Sequence, residues 1–223
     1  MSGLFVTFEG VEGAGKTTQL KLTEAWLRSL SYQVKTTREP GGTELGTNIR
    51  ALLLQGGEVS DRAELLLLMA DRAHHVETEI APSLAQGYVV LCDRYYDSTI
   101  AYQGYGRGMD LAQIAQINRI ATNGLQPNLT LWFDLDVKVG LGRAKQVSSQ
   151  PDRMERLDLE FHQRVAEGFR ELAEQERDRI IRIDASQNAD RIQSQIQSHI
   201  LPVLQSFLNS TDYHEPTPKA AAS

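Results

Sequence analysis

The chain has one cysteine, Cys92, so no disulfide can close within it. Cys92 ends the apolar run Tyr88-Val89-Val90-Leu91-Cys92, which reads as a buried strand with a core thiol. Positive charge is also scarce. There are 23 lysines and arginines against 29 aspartates and glutamates, a net charge of −6. That argues against a general partner of nucleic-acid polymers, which shows a basic surface. A small anionic ligand stays open, because a few arginines can make a positive cleft on an acidic protein. No apolar run reaches the roughly 20 residues that span a bilayer, and no basic segment followed by an apolar one opens the chain. A cytoplasmic protein without a membrane partner is expected. No repeat or linker divides the sequence. Residues 1–208 read as a single domain, and 209–223, rich in Pro, Ala and Ser, as a disordered tail.

What is present is concentrated near the start. Gly10-Val11-Glu12-Gly13-Ala14-Gly15-Lys16-Thr17 fits the phosphate-cradling pattern G-x-x-x-x-G-K-[ST] at every fixed position. Leu4-Phe5-Val6-Thr7-Phe8 before it reads as a buried strand. Thr18 and the residues after it read as a helix, with Leu20, Thr23, Leu27 and Leu30 on one face. Glycines let successive backbone N–H groups converge on an anion, and the helix N-terminus adds partial positive charge. Lys16 can reach the β- and γ-phosphates of a nucleotide, and the Thr17 hydroxyl can ligate Mg²⁺.

Further along, strand-like runs alternate with helix-like ones. Strands are expected at Val34–Thr37, Tyr88–Cys92, Leu129–Leu135 and Arg179–Asp184. Helices are expected from Thr43, as N-cap, through Leu54, from Ser60 or Asp61 to about Leu84, and over Leu111–Thr122, Val137–Lys145, Leu157–Gln175 and Ile192–Phe207. Pro82 should kink or break the second of these, and Gly104-Tyr105-Gly106-Arg107-Gly108 reads as a loop. The alternation predicts an α/β fold: three layers, with a central parallel five-stranded sheet between helices.

Three clusters point beyond simple nucleotide binding. Asp93-Arg94 closes an apolar strand, where ligands of open α/β sheets sit. Asp93 can orient Mg²⁺ and Arg94 can fork phosphate oxygens, although a surface ion pair fits too. Arg38, Arg50, Arg72 and Arg94 exceed what one phosphate donor needs, which suggests a second phosphorylated ligand. Arg143, Lys145, Arg153 and Arg156 bracket the loop-like 148–152, so residues 142–156 read as a mobile lid or, more plainly, a charged helix end.

Thr37-Arg38-Glu39-Pro40-Gly41-Gly42-Thr43, Asp93-Arg94-Tyr95 and Asp97-Ser98-Thr99-Ile100-Ala101-Tyr102-Gln103-Gly104 followed by Gly106-Arg107-Gly108 resemble bacterial thymidylate kinase, from Leu4 to about Leu208. The resemblance implies transfer of the ATP γ-phosphoryl group to dTMP, with Mg²⁺, in a homodimer. It implies an ATP site at Gly10 to Thr18 with Arg143 nearby, and an adenine-side turn at Asp184-Ala185-Ser186. It places Glu12 on the dTMP 3′-hydroxyl and lines the acceptor site with Arg38, Glu39 and Pro40. Arg50 and Arg94 would hold the acceptor phosphate, and Arg72 a thymine carbonyl. Ser98, Thr99 and Gln103 fall at base or phosphate contacts, and Tyr102 beside the sugar 2′ position. Lys16, Arg94, Glu12 and a lid arginine would carry the catalysis, with Thr17 and Asp93 on the metal.

Two positions depart from the family pattern. Many relatives carry an arginine where this chain has Gly13, which transfers that role to the lid, to Arg153 or else Arg143. Leu68 stands where a phenylalanine usually stacks on thymine, a loss of about 0.5–1.5 kcal/mol of aromatic interaction. The leucines around it exceed one core face, and by analogy part of that helix forms the dimer contact. The alternatives are another nucleotide or deoxynucleoside kinase and a nucleotide-binding switch. Against the switch, no Asn-Lys-x-Asp guanine-selecting motif is present.

Overall fold

A computed structural model describes residues 3–55, 57–147 and 153–210. The first strand, β1 (Leu4–Gly10), is buried along its whole length. It runs into the Gly-rich loop and then α1 (Lys16–Ser29). β2 (Val34–Arg38), α2 (Glu44–Gln55), α3 (Asp61–His75), a π-helical turn over Val76–Ile80, α4 (Ala81–Ala85) and β3 (Val89–Asp93) follow. The second half holds α5 (Tyr96–Thr99), a second π-helical stretch over Ile100–Gly106, α6 (Leu111–Thr122), β4 (Leu129–Asp134), α7 (Val137–Val147), α8 (Leu159–Gln175), β5 (Ile180–Asp184) and α9 (Ala189–Ser210).

The sheet of the described residues is five-stranded in the order β2-β3-β1-β4-β5, and each pairing is parallel. β1 therefore lies at the centre, where the strand order reverses, and its carboxyl end is the position at which open α/β sheets bind ligands. The register brings Asp93 level with Phe8 and Phe133 level with Gly10. Side chains alternate across β1. Val6 and Phe8 join Leu20, Leu27, Leu91 and Phe133, while Phe5 joins Val76, Ile80, Val90 and Tyr95. Cys92 is buried in the second group, as its strand position predicts, and burial pushes its thiol up.

Thr43 caps α2 as expected, its hydroxyl accepting from Gly46 N at 2.9 Å. Other expectations need correction or refinement. Leu30 sits at the C-cap of α1 and is exposed, because the helix ends before its face returns to the core. The α-helical pattern is interrupted just before Pro82, by the π-helical turn over Val76–Ile80, although the chain stays helical into α4. Gly104 and Gly106 lie inside a helical stretch, not a loop. These glycines serve close packing: a Cβ on Gly104 would stand 2.4 Å from Leu111 Cδ2, and one on Gly106 2.7 Å from Phe161 Cε2. α9 continues to Ser210, two residues into the stretch expected as tail. The rest of that tail and residues 148–152 of the expected lid lie outside the described residues.

Candidate active site

The loop after β1 is held by backbone conformation. Gly13 has φ 67°, and a Cβ there would stand 2.1 Å from the Gly140 carbonyl oxygen of α7. An arginine at this position has no room without displacing α7, which gives the Gly13 departure a steric cause. Val11 and Ala14 are buried in the core and anchor the loop. Lys16 Nζ donates to Gly10 O at 3.0 Å and Val11 O at 2.8 Å. Burial, reinforced by the charge of Arg94, draws its ammonium down to about 8.

Thr17 Oγ1 donates to Asp93 Oδ2 at 2.7 Å, joining α1 to the end of β3. A hydroxyl and one carboxylate are hard oxygen donors of the kind that hold Mg²⁺ together with phosphate and water oxygens. Among the described residues no group of three His, Cys, Asp or Glu could hold a metal by itself. The donor set therefore fits a cation that arrives with a nucleotide.

Arg94 follows with φ 71°, a left-handed conformation rare for a side chain of its size. That turn aims the guanidinium back over the loop. Nη1 donates to Gly10 O at 2.9 Å and Ser98 Oγ at 3.0 Å, and Nη2 to Glu12 Oε1 at 3.2 Å and Tyr102 Oη at 3.0 Å. Burial works against its charge, but Tyr102, Glu12, Glu9 and Asp93 keep the guanidinium above its ordinary range. Glu12 Oε1 also accepts from Tyr102 Oη at 2.5 Å, and His162 Nδ1 lies 3.4 Å from Oε2. Burial pushes this carboxyl up, but His162, Arg94, Lys16 and Tyr102 outweigh it and hold it well below the usual carboxylate range.

Beside the loop opens a cavity of about 320 Å³. Glu12, Gly13, Lys16, Thr17, Asp93 and Arg94 form one end of its lining. Arg38, Glu39, Pro40, Arg50, Leu68, Arg72, Ser98, Thr99, Tyr102 and Gln103 line it as well, so the expected acceptor residues do converge. Arg50 Nη1 donates to Pro40 O at 3.0 Å. Arg72, only 2% exposed, donates to Glu39 Oε2 at 2.7 Å, Thr99 Oγ1 at 2.9 Å and Asn118 Oδ1 at 2.7 Å. Glu39 meets His75 Nδ1 at 3.0 Å through its other oxygen. Its carboxylate thus acts as a pin under the pocket floor, with both oxygens engaged by protein groups.

The two lid arginines part company. Arg153 lines the same cavity, donating from Nε to Leu53 O at 2.8 Å and pairing with Glu64. Arg143 lies apart from that cavity, with Nη1 3.4 Å from Ala185 O in the turn after β5. Gly10 at the end of β1, Gly15 in the loop and Thr18 in the first turn of α1 are not part of the cavity lining.

Sequence reasoning missed Glu9, Glu64, His75, Asn118 and His162, all buried. Some carried a legible signal. Glu64 shares a face with Leu65 and Leu68, and Asn118 lies four residues after Ile114 on the buried side of α6. A polar group on an apolar helical face needs a partner, which marks it as a member of a buried network.

Fold and loop together make this a P-loop nucleotide-binding protein, with an arginine-lined cavity beside the phosphate cradle. The family model for thymidylate kinase matches residues 8–196, and the chain belongs to that family. It is 49% identical over 211 residues to a thymidylate kinase of Trichormus variabilis, with 93% of this chain and all of the relative covered. A thymidylate kinase of a Synechococcus species is 54% identical over 201 residues, covering 90% of this chain and 96% of the relative. Among solved structures, thymidylate kinase from Ehrlichia chaffeensis superposes with a TM-score of 0.74 at 34% identity, covering 90% of this chain and 99% of that one.

Proposed function

We propose that this protein transfers the γ-phosphoryl group of ATP to dTMP, giving ADP and dTDP. The observation that carries the reading is the junction of cradle and cavity: Glu12 of the loop, Arg94 after β3 and Tyr102 share one hydrogen-bonded cluster between them. An oxygen of the acceptor phosphate attacks the γ-phosphorus, and the bond from that phosphorus to the β,γ-bridging oxygen breaks. The acceptor phosphate has a second pKa near about 6, so it is a dianion at neutral pH and needs no general base. The difficulty is repulsion, about 4 kcal/mol per pair of unit charges 4 Å apart at an effective dielectric of about 20. Lys16, Arg94 and a lid arginine, Arg153 or else Arg143, offset that repulsion and hold the groups in line. Thr17 and Asp93 would hold Mg²⁺, which supplies further charge neutralisation when bound.

Around the acceptor, Arg38, Glu39 and Pro40 line the site, Arg50 and Arg94 hold the phosphate, Glu12 and Tyr102 meet the sugar, Arg72 and Leu68 the base, and Ser98, Thr99 and Gln103 the base or phosphate. The reading includes a homodimer. Leu52, Leu66 and Ile120 are exposed on α2, α3 and α6, three helices packed side by side. The reading places the enzyme in the cytoplasm; no helix of the described residues is long and apolar enough to cross a membrane.

The test is ADP release from ATP and Mg²⁺ with dTMP, dUMP, dCMP, AMP and thymidine as acceptors. The highest kcat/KM is expected with dTMP. Turnover with AMP and not dTMP overturns the reading, and acceptor-independent hydrolysis of GTP favours a switch. Light scattering on the eluting protein should give twice the chain mass; a monomer contradicts the dimer.

A further inference from the structure

Glu64 lies one turn before Leu68 in α3 and is 2% exposed. Its Oε1 accepts from Gln103 Nε2 at 2.7 Å. Its Oε2 accepts from Arg107 Nη2 at 3.1 Å and pairs with Arg153. Gln103 is itself 3% exposed and lines the acceptor cavity, and its Oε1 has no hydrogen-bond partner. A carboxylate only accepts hydrogen bonds, so it fixes which end of the amide faces it. The NH₂ group must turn to Glu64, leaving the carbonyl as a buried acceptor in want of a donor. Arg72, in the same lining, offers only donors. An acceptor and a donor in one lining are the complement of a pyrimidine edge that carries N3–H next to C4=O. Cytosine reverses both, with a bare N3 and an amino group at C4.

We propose that Glu64 is a positioning residue that locks the Gln103 amide with its carbonyl free, and so selects acceptor bases with a proton on N3 over cytosine. The inference rests on the dTMP reading and deepens it.

Glu64→Gln keeps the shape but can donate, which lets the Gln103 amide turn over. The ratio of kcat/KM for dTMP to that for dCMP is expected to fall by about tenfold or more, since a base edge that loses its matched partner leaves buried polar groups unpaired. The dTMP to dUMP ratio should stay within about twofold, because dUMP keeps both edge groups. Effects through Arg107 and Arg153 act on every acceptor and cancel in the ratio. In a Gln103→Leu background, Glu64→Gln should move the dTMP to dCMP ratio by less than about twofold. An unchanged ratio in Glu64→Gln alone overturns the proposal. Should that variant fail to fold, the side-chain amide of Gln103 in the unaltered protein decides by NMR. A protected NH₂ signal, absent in Gln103→Leu, is expected, and a freely exchanging one overturns the assignment. If the unaltered protein turns over neither dTMP nor dUMP, the activity reading fails, while the NMR result still judges the hold of Glu64 on Gln103.

Discussion

Arg94 Nη2 stands 3.2 Å from Glu12 Oε1, tying the end of β3 to the second variable letter of the phosphate loop. The contact exists because Arg94 adopts φ 71°, a conformation that costs about 1–3 kcal/mol and persists only where its surroundings hold it. Gly10 O, Ser98 and Tyr102 supply that hold. An arginine so placed faces the phosphate loop and the cavity at once.

Arg94→Ala should therefore cost chemistry more than binding. A fall in kcat of at least about a hundredfold is expected, the usual consequence of removing a charged clamp from a transferring group. The dissociation constant of ATP, measured by calorimetry, should stay within about threefold, because the loop backbone and Lys16 remain. A kcat within threefold of the parent would show that Arg94 does not stabilise the transition state.

Arg153→Ala tests the origin of the positive charge that Gly13 cannot supply. Arg153 is held at the cavity by Leu53 O and Glu64, whereas Arg143 lies beside Ala185. Turnover of Arg153→Ala is expected to fall by about tenfold or more, in line with loss of a cationic group from phosphoryl transfer. Unchanged turnover shifts the role to Arg143, and Arg143→Ala then becomes the slow variant.

Leu68→Phe restores an aromatic face to the cavity wall. KM for dTMP should stay flat or fall, by up to about fivefold if a gain of about 1 kcal/mol is realised. A marked rise in KM would mean that the cavity is shaped around leucine.

The order of strands and helices was legible because strand and helix periods alternate cleanly along the chain, and the phosphate loop because its spacing is fixed by backbone geometry. The convergence of Arg38 and Arg94 was legible from their places at strand ends, which the parallel topology gathers, whereas Arg50 and Arg72 reach the same cavity from within α2 and α3. The network beneath them was not. Glu39 appears in the sequence as a wall of the acceptor site, yet its oxygens are engaged by Arg72 and His75, a pairing made across α3 and β2 that no local pattern announces. Gly104 and Gly106 misled for a related reason. Their lack of a side chain answers Leu111 and Phe161, which approach from elsewhere in the fold.

Glu9 gives a stability prediction with a definite sign. Its oxygens accept from Tyr95 N and Ser98 Oγ, each at 2.6 Å. Burial, then the nearby Asp97, push its carboxyl from an ordinary 4.5 up to about 8, against Ser98, Arg94 and Tyr95. The folded protein thus keeps a proton that the unfolded chain releases, so this group's contribution to stability declines as pH rises from about 4.5 to about 8. Glu9→Gln lacks that decline. Thermal denaturation should show Glu9→Gln gaining on the parent protein across this window, with the largest advantage near pH 8. Parallel Tm profiles would contradict the assignment.

The central claim is the joining of an ATP cradle to a dTMP cavity, and product identification tests it most directly. Incubation with ATP, Mg²⁺ and dTMP, followed by separation of the nucleotides, should give dTDP and ADP in equal amounts. ADP without dTDP, or no consumption of dTMP, would contradict the account.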